Sequence, residues 1–187
     1  MDGSVLGVVL AAGAGSRFGS PKALARTADG EPWIARAVEA LEGGGCTRVV
    51  VVLGAAAATA TAFVPRGVES IVAARWAEGV SESLRAGLAH ADEGGAQAVV
   101  IVPVDTPDLP ASAVARILAA TSSRADALVQ AVYAGVPGHP VLIGRDHWGA
   151  VAAESTGDRG AGRYLAAHGA TRVECSDLWS GADIDTR

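Results

Sequence analysis

Three short segments constrain the architecture more than any other feature of this chain. Residues 5–10, 49–53 and 99–104 are rich in β-branched side chains and apolar almost without interruption. A strand with one solvated face alternates apolar and polar residues. These segments have no polar face, so each must be covered on both sides, as in a parallel sheet between helices. The intervening residues supply the helices. Residues 33–41 set Trp33, Ala37, Val38 and Leu41 on one helical face, and residues 80–91 group Val80, Leu84, Gly87, Leu88 and Ala91. Residues 110–120 begin with Pro110, a favoured first-turn residue, and carry Val114, Ile117 and Leu118. This alternation predicts an α/β, doubly wound, mostly parallel sheet.

Beyond residue 125 the pattern loosens. Residues 128–133 and 141–143 read as strands joined by a turn-rich insert, Gly135-Val136-Pro137-Gly138-His139-Pro140. Short helices around 148–153 and 162–167, a strand at 171–175 and a polar tail follow. The alanine-dense stretch 55–62 reads as helix, since alanine is the best helix former. With 187 residues, no internal repeat and no long linker, residues 1–187 are expected to form a single domain.

Half the residues are apolar but only 4% are aromatic, so small side chains must let the helices sit close on the sheet. A formal net charge of −5 offers no basic field to nucleic acid or an anionic membrane. Phosphate binding would therefore rest on a local cluster of positive groups. Cys46 and Cys175 follow no metal-binding spacing and read as reduced thiols in a reducing compartment. Asp2 stands where a signal peptide carries positive charge, and the apolar run after it is far short of the roughly 20 residues a bilayer span needs. A cytoplasmic location is the expectation.

The segment Leu10-Ala11-Ala12-Gly13-Ala14-Gly15-Ser16-Arg17-Phe18-Gly19-Ser20-Pro21-Lys22 follows the first strand, at the end where open α/β sheets bind ligands. Its glycines let backbone N–H groups approach an anion, and Arg17 and Lys22 add two full charges. Lys22 is the only lysine in the chain. A dinucleotide-binding loop is excluded, because its third glycine falls on Phe18 and Gly54-Ala55-Ala56 stand where the ribose-binding acid belongs. A Walker A loop is excluded as well, since Lys22 lies between Pro21 and Ala23.

This loop resembles the signature of MobA-like nucleotidyltransferases, and within them most closely that of the molybdenum-cofactor cytidylyltransferases. The resemblance implies a Rossmann-like fold of the nucleotide-diphospho-sugar transferase type and a loop that wraps a triphosphate, with Arg17 and Lys22 on phosphate oxygens. Other segments fit in the same order. Arg75-Trp76-Ala77-Glu78-Gly79-Val80-Ser81-Glu82-Ser83-Leu84 resembles the stretch that lies against base and ribose, which implicates Gly79, Ser81 and Ser83; as helix-start residues the serines also read as caps. Arg75 departs from the Asn common there. Asp105 ends a buried strand, where a charge has no structural use, and by resemblance is the first Mg²⁺ ligand. Thr106 stands where many cytidylyl enzymes carry Gln, and Asp108 reads as a cap of the next helix.

Gly138-His139-Pro140-Val141-Leu142 resembles the strand that closes the acceptor side, and Gly157-Asp158-Arg159-Gly160-Ala161-Gly162 the element after it, which implicates His139 and Asp158. Asp183-Ile184-Asp185-Thr186-Arg187 resembles the family ending in which an acid completes the metal site, leaving Asp183 and Asp185 both open as that ligand. The implied reaction is attack of an acceptor phosphate on the α-phosphorus of an NTP, releasing pyrophosphate. The paired alanines Ala11 and Ala12 lean to CTP, and the implied acceptor is molybdopterin, with a molybdoenzyme as eventual recipient. Two alternatives remain: a nicotinamide-dependent oxidoreductase acting on a small aromatic substrate in the same cleft, and a non-catalytic carrier of the molybdenum cofactor.

Overall fold

A computed structural model of the chain describes residues 4–122 and 124–186; Asp2, the acid weighed against a signal peptide, lies outside them. The strands are β1 (Val5–Ala11), β2 (Arg48–Leu53), β3 (Glu69–Val72), β4 (Ala98–Pro103), β5 (Leu128–Tyr133), β6 (Val136–Gly144) and β7 (Thr171–Glu174). They form one sheet in the order β3-β2-β1-β4-β6-β5-β7. All pairings are parallel except those of β6, which runs against both β4 and β5. The helices are α1 (Trp33–Gly43), α2 (Ala57–Ala60), α3 (Val80–Glu93), α4 (Ala111–Ala119), α5 (Trp148–Glu154) and α6 (Gly162–Ala167).

The apolar runs do lie between two helical layers. In β1, β2 and β4, Val9, Val51 and Val100 face the core built with Trp33, Ile34, Leu41, Val114 and Ile117 of α1 and α4. Their neighbours Val8, Val50, Val99 and Ile101 face a second core with Leu84, Leu88, Val151 and Leu165 of α3, α5 and α6. A period of two thus feeds both cores, so neither face of a strand tolerates a polar residue. Close approach of helix and sheet is real: a Cβ on Gly87 would lie 2.8 Å from Val8 Cγ1. Both cysteines are buried and free. Among the described residues, no helix is long and apolar enough to cross a membrane.

Several sequence expectations change. The insert before residue 141 is not a loop: β6 begins at Val136, and only Ala134 and Gly135, both at positive φ, make the turn. Val136 and Pro137 pair with Tyr133 and Val132, so the hairpin ladder overrides the turn-forming composition. The alanine-dense stretch is helical only over Ala57–Ala60 before a single turn of tighter helix, Thr61–Phe63. Alanine propensity without a broad apolar face gains little packing, and packing is what sustains most helices. Edge strand β3 carried no apolar run and was missed; its residues are mostly exposed. Asp108 does not cap α4, which begins after Pro110 with no side-chain cap.

The helix–sheet contact sets a testable limit. Gly87→Val should lower stability by about 1–3 kcal/mol through overpacking against Val8, measured as a lower urea midpoint at unchanged slope. Unaltered stability would mean that α3 is free to lift from the sheet.

Candidate functional site

Three chain segments converge at the carboxyl end of β1 and β4, and local geometry explains each. After β1, the loop doubles back on itself: Gly15 has φ +65°, its carbonyl accepts from Gly19 N–H at 2.8 Å, and a Cβ there would overlap the Ser20 carbonyl. This tight turn delivers Lys22 at the start of a short helical turn, Lys22–Leu24, and leaves Arg17 exposed at the rim. After β4, Val104 N–H still bonds Leu10 carbonyl at 3.0 Å, so Asp105 leaves the sheet as a direct extension of a rigid strand.

The tail is the third segment. Ile184 N–H donates to the Asp105 carbonyl at 2.9 Å, while the Ile184 side chain packs against the α1/α4 core. Anchoring Ile184 sets both of its neighbours beside Asp105. Asp105, Asp183 and Asp185 each offer a carboxylate oxygen within 4.8 Å of the others. Lys22 Nζ donates to Asp105 Oδ2 at 2.8 Å and to Asp185 Oδ1 at 2.9 Å, and Arg17 Nη1 donates to Asp185 Oδ2 at 2.9 Å. Burial alone would lower the Lys22 pKa, but the hydrogen bonds to Asp105 and Asp185 outweigh it and hold the ammonium above its ordinary range. The same contact with Lys22 holds the Asp185 carboxyl below the usual carboxylate range.

The opposite wall comes from β6. His139 precedes Pro140 through a cis peptide bond and is half-buried. Burial lowers its pKa against the pull of Asp105 and Asp183, leaving a neutral imidazole. Near the start of α3, Gly79 has φ +115°, and any side chain there would collide with the Gly157 backbone; Ser81 N–H then bonds Gly157 carbonyl at 3.0 Å. These contacts dock the segment that carries Asp158.

The result is a cleft of about 1000 Å³, large enough for a nucleotide. Leu10, Ala11, Gly13, Ala14, Gly15, Ser16, Arg17, Lys22, Asp105, His139, Asp158, Asp183 and Asp185 all line it. Ala12, Gly79, Ser81 and Ser83 do not. Ala12 is buried behind the loop with its carbonyl bonded to Ala55 N–H, and Ser81 and Ser83 are buried without capping α3. Their neighbours Val80 and Leu84 face the cleft instead. Arg75 pairs with Glu78 on the surface. Sequence reasoning missed Gln130, which lines the cleft and bonds the Gly138 carbonyl at 3.4 Å. A polar residue in an otherwise apolar strand was its available signal, and the β5–β6 register shifts next to it.

Lys22 and Arg17 are the only lysine or arginine side chains on the described cleft wall, against four aspartates. The three clustered carboxylates offer hard oxygen donors of the kind Mg²⁺ and Mn²⁺ take, and their spacing suits one ion.

Known proteins resemble this chain along most of its length. The chain is 35% identical over 193 aligned residues to the nicotine blue oxidoreductase of Paenarthrobacter nicotinovorans, covering 97% of this chain and 92% of that protein. It is 32% identical over 105 residues to a probable molybdenum cofactor guanylyltransferase of Rhodopirellula baltica, covering 56% of this chain and 50% of the other. Among solved structures, the Rv0371c protein of Mycobacterium tuberculosis H37Rv superposes with a TM-score of 0.78 at 25% identity, covering 100% of this chain and 95% of that one. A second structure of that protein is a complex with manganese, at a TM-score of 0.70 and 26% identity over 92% of this chain and 87% of that one. Residues 7–173 match the MobA-like NTP transferase domain, and the chain belongs to that family.

Proposed function

We propose that this chain transfers a nucleotidyl group from a metal–NTP complex, with CTP preferred, to a phosphate-bearing acceptor of the molybdopterin class, releasing pyrophosphate. The observation that carries the reading is the Lys22 ammonium, set between Asp105 and Asp185 at the mouth of the glycine loop. A phosphate loop, its cation and a carboxylate cluster within one cleft are the parts such a displacement requires.

Asp105, Asp183 and Asp185 would hold the ion, which when bound neutralises charge on the phosphate oxygens. Lys22, released from its carboxylates, follows the α-phosphate as negative charge grows there. Arg17, exposed at the rim, holds the departing pyrophosphate. The glycine loop orients the chain of phosphates through backbone N–H groups. An acceptor phosphate is already ionised near neutrality, its second pKa being about 6, so no general base is needed. His139, neutral and flanked by acids, serves as a hydrogen-bonding group on the acceptor side. The lean to CTP rests on Ala11, on the cleft wall, and on Ala12 behind it.

A second reading, a nicotinamide-dependent oxidoreductase, is favoured by one observation, the 35% identity over 97% of the chain to the nicotine blue enzyme. Against it stand Phe18 in place of the third fingerprint glycine and Gly54-Ala55-Ala56 after β2. Pyrophosphate release with each of the four NTPs, with Mg²⁺ and with or without molybdopterin, separates the readings. Release dependent on CTP and pterin supports transfer; silence with every NTP beside hydride transfer from a nicotinamide supports the second.

Lys22→Ala should reduce turnover about 10²–10³-fold, the scale of one lost transition-state donor, with a lower melting temperature as well, because the clustered carboxylates lose the ammonium that bridges them. Asp105→Asn should raise the Mg²⁺ concentration for half-maximal rate by about tenfold or more, because carboxylate count sets the affinity for hard cations. The tail also has a pH dependence. Asp185 is held below its unfolded pKa by Lys22, so its contribution to tail docking is complete above about pH 4 and is lost as pH falls through the lowered value. Lys22 is held above its ordinary value, so its contribution is complete below about pH 10 and is lost only in stronger alkali. Trp179 fluorescence followed against pH should show an acid step that is smaller in Asp185→Asn, the remainder belonging to Asp177 and Glu174, whose carboxyls Arg116 and Ser176 also hold low.

A further inference from the structure

Tyr133, the last residue of β5, lies outside the cleft wall, yet two walls of the site rest on it. It is 7% exposed. Its hydroxyl donates to the His139 carbonyl at 2.7 Å. Its ring packs directly against the backbone of two glycines. A Cβ on Gly138 would come within 2.9 Å of ring atoms Cδ2 and Cε2, and a Cβ on Gly181 would overlap the ring. Gly181 also has φ +78°, a conformation side chains resist. Trp179 closes the site edge-on, with centroids 5.4 Å apart and planes at 85°.

The connectivity gives these contacts their meaning. Gly138 immediately precedes His139 on the acceptor strand, and Gly181 lies two residues before Asp183 in the tail. One ring therefore fixes the height at which both segments enter the cleft, and one hydroxyl fixes the carbonyl of His139. We propose that Tyr133 is a positioning residue that holds Asp183 of the carboxylate cluster and His139 of the acceptor wall in register with each other. It touches no reacting atom. Burial, assisted by Cys175 and Glu174, raises its pKa, so the hydroxyl keeps its proton and remains a donor through the neutral range. The Asp183 half of the inference rests on the metal-site reading, whereas the His139 half rests on geometry alone.

The hydroxyl and the ring have separable consequences. Tyr133→Phe removes only the bond to His139, whereas Tyr133→Leu also removes the flat surface under Gly181. Two readouts that need no turnover distinguish them: Mn²⁺ affinity from the free-ion electron paramagnetic resonance signal, and the His139 imidazole signal in NMR. Tyr133→Phe should move the His139 signal and leave Mn²⁺ affinity within about twofold. Tyr133→Leu should move the signal and weaken Mn²⁺ about tenfold, the scale of losing support behind a metal ligand. Should Tyr133→Leu prove unfolded, Gly181→Ala sets a Cβ against the Tyr133 ring and should weaken Mn²⁺ about tenfold; a folded Gly181→Ala with wild-type Mn²⁺ affinity would overturn the Asp183 half. A folded Tyr133→Leu with wild-type Mn²⁺ affinity and an unmoved His139 signal would overturn the inference. Failure of the wild type to bind Mn²⁺ would contradict the metal-site reading and with it the Asp183 half, leaving the His139 signal to decide the other.

Discussion

Three carboxylates within 4.8 Å of one another repel, and a single ammonium makes their arrangement tenable. Lys22 spans Asp105 and Asp185: the pair with Asp105 is mostly withdrawn from water and weakly screened, whereas the Asp185 side chain is 41% exposed and that pair is screened more. The rest of the site hangs on this contact. It joins the loop after β1, the tip of β4 and the C-terminal tail, three segments far apart in sequence. The exposed Arg17–Asp185 pair adds little alone, as surface pairs generally do. In the proposed reaction, a cation arriving between these carboxylates would compete directly with Lys22 and so couple metal entry to release of the lysine toward phosphate.

Sheet topology supplies the stage. Strands β1 and β4 are parallel neighbours, so their carboxyl ends open side by side and their loops face one space. Next to them β6 runs the other way, so its beginning, Val136 to Pro140, arrives at the same end. One antiparallel strand thus brings Val136 to His139 to the cleft at the mouth of an otherwise parallel sheet. The helices behind the sheet are held close by Gly87 and by small residues throughout both cores. That closeness leaves the strand tips little freedom, as a site accurate to fractions of an ångström requires.

Much of this was legible in the sequence, and the exceptions share a cause. The apolar runs of β1, β2 and β4 identified a parallel sheet because burial on both faces leaves no polar residue in them. The loop from Leu10 to Lys22 was legible because its glycines and cations fall within one short run, Gly13 to Lys22. Edge strand β3 has exposed residues and no periodic signal, and the start of β6 is hidden by Pro137 and Gly138, which a hairpin ladder accommodates. Ser81 and Ser83 matched a motif, yet helix phase turns them into the protein and presents Val80 and Leu84 to the cleft. Phase of that kind is set by packing of α3 on the sheet, which no short motif encodes. The choice between Asp183 and Asp185 had no answer in the sequence because both neighbours of an anchored Ile184 reach the cluster. Tyr133 was invisible for a similar reason: besides the Trp179 ring, its partners are a backbone carbonyl and the bare backbone of two glycines.

In the proposed reaction Lys22 exchanges its carboxylates for phosphate when nucleotide and metal enter. A crystal structure of the protein with Mg²⁺ and a non-hydrolysable CTP analogue tests it most directly. Lys22 Nζ is expected on an α-phosphate oxygen, with the ion between Asp105 and the tail carboxylates. Lys22 still bridging Asp105 and Asp185, with the nucleotide bound elsewhere or not at all, would contradict it.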